Sequence, residues 1–226
     1  MSNPVKTVSK SEETKERILR SALKMFHDRG FDSTTMREIA TRAGVATGAA
    51  YYYFDSKDAI VLAFYDRARR DMEPEMEKAL NETRDLRERL RKIIKVKLDY
   101  FKPSRKLLGA LSGHTNPEYP LSPFSEQTRE IREEDIAFFE RALAGSRTPG
   151  PKDLKKHLPH LLWMYQMGII LFWINDSSPE QAKTDVLLDK SLDLVTRLIR
   201  LAGLPLTGPI RKTVVQLMDS LMESNA

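Results

Sequence analysis

A short stretch of small, hydroxyl-bearing and basic side chains has the composition of a surface that contacts base pairs. Thr47 and Tyr51 carry hydroxyl groups that can hydrogen-bond to base edges, and Ala49 offers a methyl group for a thymine methyl. Gly48 has no side chain and therefore permits close approach. These residue types predict contact with the major groove of DNA. The remaining candidates supply one more hydroxyl, an aromatic ring and two basic groups: Thr35, Tyr52, Arg37 and Lys57.

The two basic candidates occupy positions that suit phosphate groups. Lys57 follows Ser56, a residue type that caps helices, so its ammonium group is expected beside the exposed N–H groups of a helix N-terminus. Arg37 falls in the first turn of an earlier helix, within reach of a phosphate or a guanine. The alternative for Lys57 is an ordinary solvated lysine.

Two short helices joined by a tight turn must position these side chains. Thr34 or Thr35 can cap the first helix, which is predicted to continue to Arg42. Gly44 suits the turn because glycine adopts positive φ without strain, and the second helix is expected over about 46–52. This pattern predicts a helix-turn-helix. The inward positions are small or apolar and fall in register: Met36, Ile39, Ala40, Val45 and Ala50.

The window from Thr34 to Lys57 closely resembles the N-terminal domain of the tetracycline-repressor family. The resemblance covers the first helix, the helix-turn-helix and the run GVATGAAYYYFDSKDAI at residues 44–60. In that family an aromatic-rich end of the recognition helix precedes a short turn and a lysine, and the spacing here matches. Ala50 departs from the pattern, because a larger apolar residue is usual there. The resemblance implies nine or ten helices, a homodimer and a divergent C-terminal domain that binds a ligand.

Helical periodicity continues along the whole chain, and no segment alternates long enough to compete as a strand. We therefore expect an all-α fold of ten helices, with an N-terminal three-helix helix-turn-helix domain and a C-terminal helical domain for ligand binding and dimerisation. The predicted divisions are a flexible basic arm at residues 1–10, a DNA-binding domain at 11–57 and a ligand-binding and dimerisation domain at 58–226. Several boundaries are expected at particular residues: Ser11 capping the first helix, Pro74 kinking or breaking the fourth, and Ser125, Lys152 and Pro179 opening the seventh, eighth and ninth.

Charge and composition narrow the class of protein. The net charge is +5, and the first 70 residues hold 13 lysines and arginines against nine acidic residues, which favours a polyanionic partner there. The absence of cysteine excludes disulfides and thiolate chemistry. The N-terminal stretch lacks the apolar run of a signal peptide, and the longest apolar run, Leu161 to Ile174, is too short to span a bilayer. These observations predict a soluble cytoplasmic protein.

The two helices expected at about 152–175 and 179–203 carry more apolar surface than one small domain can bury. Excess apolar helix surface indicates a partner, and the resemblance implies that these helices pair with their symmetry mates as a four-helix dimer interface. A large intramolecular core is the alternative.

The effector site is expected among the aromatic and methionine residues of the C-terminal domain, a composition that suits a flat or apolar ligand. Gln166 is a polar group inside an apolar run, and it can orient a ligand or satisfy a backbone group. His157 and His160 have a spacing that can bind a metal, but we expect surface or capping histidines, no metal and no cofactor. Glu133, Glu134 and Asp135 are predicted to form a solvated acidic face. The ligand candidates are Tyr100, Phe101, His114, Phe138, Trp163, Gln166 and Met167.

These features together predict a ligand-responsive regulator, a repressor rather than an enzyme, that binds a palindromic double-stranded operator as a homodimer. A small, apolar or aromatic effector would release it. Two other readings stay open at this stage. One is a helical enzyme or ligand carrier without a DNA function, which predicts no salt-dependent DNA binding. The other keeps the fold but makes the protein an activator, because the sign of regulation depends on where the operator lies.

Overall fold

The computed structural model describes residues 9–113, 116–148 and 150–223, with side chains up to residue 220. The described residues form helices and turns and contain no strand, which confirms the predicted all-α fold. None of the described helices has both the length and the hydropathy that crossing a bilayer requires. Ten α-helices follow one another along these residues: α1 Lys10–Arg29, α2 Met36–Ala43, α3 Thr47–Tyr53, α4 Lys57–Glu82, α5 Leu86–Phe101, α6 Arg105–Leu111, α7 Arg129–Ala144, α8 Leu158–Asn175, α9 Ala182–Ala202 and α10 Gly208–Glu223.

Contacts divide the chain into two compact units. The N-terminal unit comprises Met1–Arg69 and Pro103–Arg129, and the C-terminal unit comprises Arg70–Lys102 and Glu130–Ala226. This division differs from the sequence-based boundary after residue 57, because the first half of α4 and the segment around α6 belong to the N-terminal unit. The first half of α4 buries a row of apolar side chains: Ile60, Val61, Phe64 and Ala68.

The helix starts show where local hydrogen bonds overrode the expected boundaries. Ser9, not Ser11, caps α1: its hydroxyl accepts from the Glu12 amide, while the Glu12 carboxylate accepts from the Ser9 amide. Ser11 lies in the first turn, and its hydroxyl donates to the Tyr53 hydroxyl at 3.2 Å. Lys10 is therefore helical rather than part of the predicted arm, and residues 1–8 of that arm lie outside the described residues.

Four later boundaries also differ from expectation. Pro74 does not break α4, which runs through it to Glu82. The seventh helix begins at Arg129 rather than Ser125, because Thr128 is tied into the preceding turn by a hydrogen bond from its hydroxyl to the Ser122 carbonyl at 2.7 Å. Short 3₁₀ turns at Lys152–Leu154 and Pro179–Gln181 stand where α8 and α9 were expected to start.

The start of α9 is held by one buried carboxylate. Asp176 accepts hydrogen bonds from the amide and hydroxyl of Ser178 and from the amide and hydroxyl of Thr184. Burial alone would raise the pKa of Asp176, but the hydrogen bonds from Ser178 and Thr184 outweigh it and leave the pKa below its ordinary value. Glu180 and Gln181, between these partners, adopt positive φ.

Two buried cations lie on the apolar face of α5. The Arg89 guanidinium donates to the carbonyls of Leu80 and Ala142, close to the C-terminal ends of α4 and α7. Those helix ends carry partial negative charge, so they stabilise the guanidinium without a carboxylate. Burial lowers the pKa of Arg89. Lys97 pairs with Asp135 of α7, which corrects the expectation that Asp135 lies on a solvated face.

A ladder of ion pairs joins α5 to α9. Three cations at four-residue spacing on α5, Arg87, Arg91 and Lys95, face three carboxylates at the same spacing on α9. The helices run antiparallel along this ladder, since the order of the partners is reversed: Asp193, Asp189 and Asp185.

Candidate functional site

The turn between α2 and α3 is built by local hydrogen bonds. Thr35 caps α2 with a capping box, in which its hydroxyl accepts from the Glu38 amide and the Glu38 carboxylate accepts from Thr35. Those bonds from the Thr35 side chain and backbone hold the pKa of Glu38 below its ordinary value. Gly44 ends α2 in the left-handed region at φ 65°, and the Val45 amide then donates to the Ala40 carbonyl at 3.0 Å. The predicted helix-turn-helix is therefore present.

The outer face of α3 consists of small and aromatic side chains. Tyr51 is 52% exposed and Tyr52 is 82% exposed, which is unusual for large aromatic residues in a folded chain. Thr47 and Gly48 are exposed, whereas Ala49 is half-buried. This face is available to a partner. The inner side packs as the sequence predicted, with Met36, Ile39, Ala40 and Ala50 buried and Val45 half-buried.

The end of α3 is anchored to the first helix. Phe54 is buried, and the ammonium group of Lys15 lies 5.6 Å from the centre of its ring. Tyr53 is half-buried and its hydroxyl is bonded to Ser11. Two of the four consecutive aromatic residues therefore hold the helix in place, and the other two face outward.

Lys57 has a structural role that the sequence did not reveal. Its ammonium group donates to the Phe31 carbonyl at 2.7 Å, lies 3.5 Å from the Asp32 carbonyl, and stands 4.5 Å from the centre of the Phe31 ring. These contacts tie the N-terminus of α4 to the loop between α1 and α2. An ammonium group has three N–H donors, so a phosphate contact remains chemically compatible with this arrangement.

Arg37 borders a charged hollow on the same unit. Arg37 and Thr35 are both exposed. The hollow has a volume of about 430 Å³ and lies between the end of α1 and α2. The Arg29–Glu38 ion pair at 3.1 Å crosses it. Its remaining lining residues are Met25, Asp28, Arg37, Thr41 and Arg42.

The ligand candidates of the C-terminal unit differ in exposure. Phe138, Trp163 and Gln166 are buried, while Tyr100, Phe101 and Met167 are half-buried. Tyr100 is held at the surface of α4 by a hydrogen bond from its hydroxyl to Asp71 at 2.8 Å. Three of the six described candidates thus sit deep in the unit. His114 lies outside the described residues.

Two polar side chains, one in α8 and one at its N-cap, are buried. Gln166 is 1% exposed, and neither its amide nitrogen nor its amide oxygen has a hydrogen-bond partner among the described residues. His157, expected at the surface or as a cap, occupies the N-cap position of α8 without a capping side-chain hydrogen bond, and it is buried with its Nε2 3.2 Å from Asp219 of α10. His160 lies beside Trp163, and burial lowers the pKa of this histidine. The described residues contain no cluster of three or more potential metal ligands.

Exposed apolar side chains cover one side of α8 and α9. Leu171 on α8 and Leu194 and Leu198 on α9 are more than half exposed. Gly168, also exposed, lies among them on α8. Within the C-terminal unit this surface, hereafter the α8–α9 face, has no cover of its own. Its other large members are Met164, Phe172, Val186 and Leu201.

Comparison with known proteins matches both parts of the chain. A family model described as bacterial regulatory proteins of the tetR family covers residues 18–64, and a model described as the tetracyclin repressor-like C-terminal domain covers residues 89–217. The uncharacterized HTH-type transcriptional regulator YerO of Bacillus subtilis is 43% identical over 51 residues, 23% of this chain and 18% of the relative. The HTH-type transcriptional repressor BepR of Brucella suis is 41% identical over 64 residues, 28% of this chain and 31% of the relative. The chain therefore matches less than a third of the length of these relatives.

A solved structure shares the fold across both units. FadR of Thermus thermophilus, a transcriptional repressor crystallised with lauroyl-CoA, superposes with a TM-score of 0.56 at 22% identity, covering 84% of this chain and 95% of that one. The helix-turn-helix with its outward-facing aromatic residues defines a DNA-binding transcriptional regulator. Because the C-terminal family model alone covers more than half of the chain, the protein belongs to the tetracycline-repressor family.

Proposed function

We propose that the protein is a homodimeric repressor that binds a palindromic operator and is released by a small, largely apolar effector. The main support for DNA binding is the exposed face of α3, where Tyr51 and Tyr52 point outward from a helix anchored by Phe54. Aromatic side chains of this size are exposed on a soluble domain where a partner covers them. The proposed DNA contacts are Thr35, Arg37, Thr47, Gly48, Ala49, Tyr51, Tyr52 and Lys57.

The α8–α9 face supports the homodimer. A two-fold interface uses the same patch on both subunits, and the exposed leucines of α8 and α9 form such a self-complementary patch, with Lys190 and Arg197 also exposed on α9. Two recognition helices, one from each subunit, would then meet half-sites about one helical turn apart, roughly 34–36 Å. A palindromic operator follows from this symmetry.

The proposal of a small-molecule effector is based on the buried residues of the C-terminal unit. Phe138, Trp163 and Gln166 combine aromatic surface with one polar group, which is the composition of a small-molecule site. FadR of Thermus thermophilus, which shares the fold, was crystallised with lauroyl-CoA, a ligand that has a long apolar chain. The other proposed ligand contacts are Tyr100, Phe101, His114 and Met167. Because α4 extends from the N-terminal unit into the C-terminal unit, a ligand-dependent shift of α4 would change the spacing of the recognition helices.

The test is binding of the purified protein to DNA from upstream of its own gene, titrated with salt and compared with a scrambled duplex. We expect selective binding whose affinity falls steeply as salt rises, since phosphate contacts release counterions. Equal, weak binding to both duplexes, together with a chain that still binds small molecules, would favour a ligand carrier instead. A reporter under the same operator separates a repressor from an activator.

A further inference from the structure

Gln166 is a buried amide in the middle of the apolar face of α8. Trp163 lies three residues before it and Trp173 seven residues after it, so the three side chains follow one stripe of the helix. All three are at most 3% exposed. The amide group is therefore buried on the stripe that carries the two tryptophans, and its nitrogen and oxygen have no hydrogen-bond partner among the described residues.

An unpartnered buried amide is costly, because it loses its hydrogen bonds to water without replacing them. A leucine at this position would fill similar space without that cost. The second subunit of a dimer does not resolve the difficulty, since Gln166 is already enclosed within one chain and lies away from the α8–α9 face. The position therefore calls for a partner that is not part of the polypeptide.

The buried charges of the C-terminal unit indicate whether that partner is charged. Arg89 is bonded to two helix-end carbonyls, Lys97 is paired with Asp135, and Asp176 accepts from Ser178 and Thr184. Among these three groups, the Nε of Arg89 is the one buried polar atom without a hydrogen-bond partner in the described part of the unit. Gln166 and the two tryptophans on its stripe carry no charge, so a charged ligand group beside the amide would be desolvated without an opposite charge from these residues. A neutral ligand is therefore favoured.

The hydrogen-bonding groups of the amide narrow the class of ligand further. Gln166 offers N–H donors and a carbonyl acceptor side by side, and a group that carries the complementary acceptor and donor, such as a carboxamide, satisfies both at once. We propose that Gln166 is the polar anchor of the effector site, and that the effector is a neutral, largely apolar molecule bearing a carboxamide or lactam group. The proposal rests on the effector-responsive function proposed above and specifies its ligand.

Three probes of nearly the same apolar body test this assignment: naphthalene-2-carboxamide, its N,N-dimethyl derivative and 2-methylnaphthalene. The derivative keeps the acceptor and lacks the donor, and the hydrocarbon lacks both. The melting temperature of the full-length protein is measured against the concentration of each probe, since a ligand that binds the native state raises it. We expect the carboxamide to raise it at concentrations at least tenfold lower than the two analogues. Equal effects, or no effect from any probe, would overturn the proposal.

A variant pair completes the test. Gln166→Leu should raise the melting temperature of the ligand-free protein and abolish the preference for the carboxamide. Gln216→Leu, at an exposed glutamine of α10, should change neither. A lower melting temperature in Gln166→Leu with the preference retained would assign Gln166 to the fold instead. The readout contains no DNA, so a chain that binds no operator can still pass or fail it.

Discussion

The helix-turn-helix and the C-terminal unit are organised by contacts of very different range. In the helix-turn-helix, Thr35 and Glu38 cap one helix across three residues, and Val45 bonds Ala40 across five. In the C-terminal unit, Arg87 reaches Asp193 across 106 residues of sequence, and Lys97 reaches Asp135 across 38. The turn of the helix-turn-helix is shaped by neighbouring residues, whereas the packing of the C-terminal unit depends on distant segments coming together.

The two regions also differ in which side chains they leave without a partner or cover within the chain. The helix-turn-helix exposes two tyrosines on α3, which follows a capped α2 and a left-handed glycine. The C-terminal unit exposes an apolar face and encloses an amide without a partner. A rigid surface suits recognition of a rigid duplex, while an interior with an unmet hydrogen-bonding group suits a response to a ligand. Variants that perturb one of the two regions should leave the other unchanged.

The largest effect is expected from charging the α8–α9 face. Leu194→Glu combined with Leu198→Glu should raise the dissociation constant of the dimer roughly a thousandfold, about 4 kcal/mol, because two buried anions would oppose their symmetry mates. Sedimentation equilibrium measures the change. Leu217→Glu on α10 is the matched control, an equally exposed leucine outside this face. A double variant that remains dimeric would place the interface elsewhere.

Removal of the buried guanidinium should lower the stability of the C-terminal unit. Arg89→Met leaves the carbonyls of Leu80 and Ala142 without their donors, and we expect a loss of about 2–3 kcal/mol in the free energy of unfolding. Chemical denaturation followed by circular dichroism gives the value. Arg84→Met, at an exposed arginine just before α5, should change it by less than about 0.5 kcal/mol. If both variants behave alike, Arg89 does not hold the helix ends together.

The tyrosine run of α3 allows a test within three residues. Tyr51→Ala should weaken operator binding about tenfold to thirtyfold, about 1–2 kcal/mol, through loss of a base contact. Tyr53→Phe removes only the hydroxyl that bonds Ser11 and should leave operator affinity unchanged. Fluorescence anisotropy with labelled operator measures both. The assignment of the outer face would be lost if Tyr53→Phe proved the more damaging change.

Lys57 is expected to contribute both to the stability of the fold and to DNA binding. Lys57→Met should lower the melting temperature, because the loop at Phe31 loses its donor, and should also reduce the slope of log affinity against log salt by about one unit. Thermal denaturation and a salt titration of operator binding report the two effects separately. A lower melting temperature with an unchanged slope would leave Lys57 as a purely structural residue.

The same difference in range explains which features the sequence could predict. Capping threonines, the turn glycine and the inward apolar positions act on neighbours a few residues away, so the helix-turn-helix was predictable. The Ser9–Glu12 spacing also carried a capping-box signal, which the competing Ser11 obscured. For Arg89 and Lys97, the spacing with Leu86, Leu90 and Ile93 places both on the buried stripe of α5. Periodicity identifies a face but not the acceptor, and those acceptors lie on other helices.

The smallest expected effect concerns the buried carboxylate at the start of α9. The pKa of Asp176 is lowered in the folded chain, so the ionised carboxylate stabilises the fold above its unfolded pKa of about 3.9. That contribution should diminish as pH falls below about 4 towards the folded pKa. Asp176→Asn should therefore melt below the wild type at pH 6, and the difference should shrink as the pH is lowered from 5 to 2. Thermal melts across this range measure it, with Asp99→Asn, at an exposed carboxylate, as the control. A difference that is constant with pH would mean that side-chain shape, not charge, holds the start of α9.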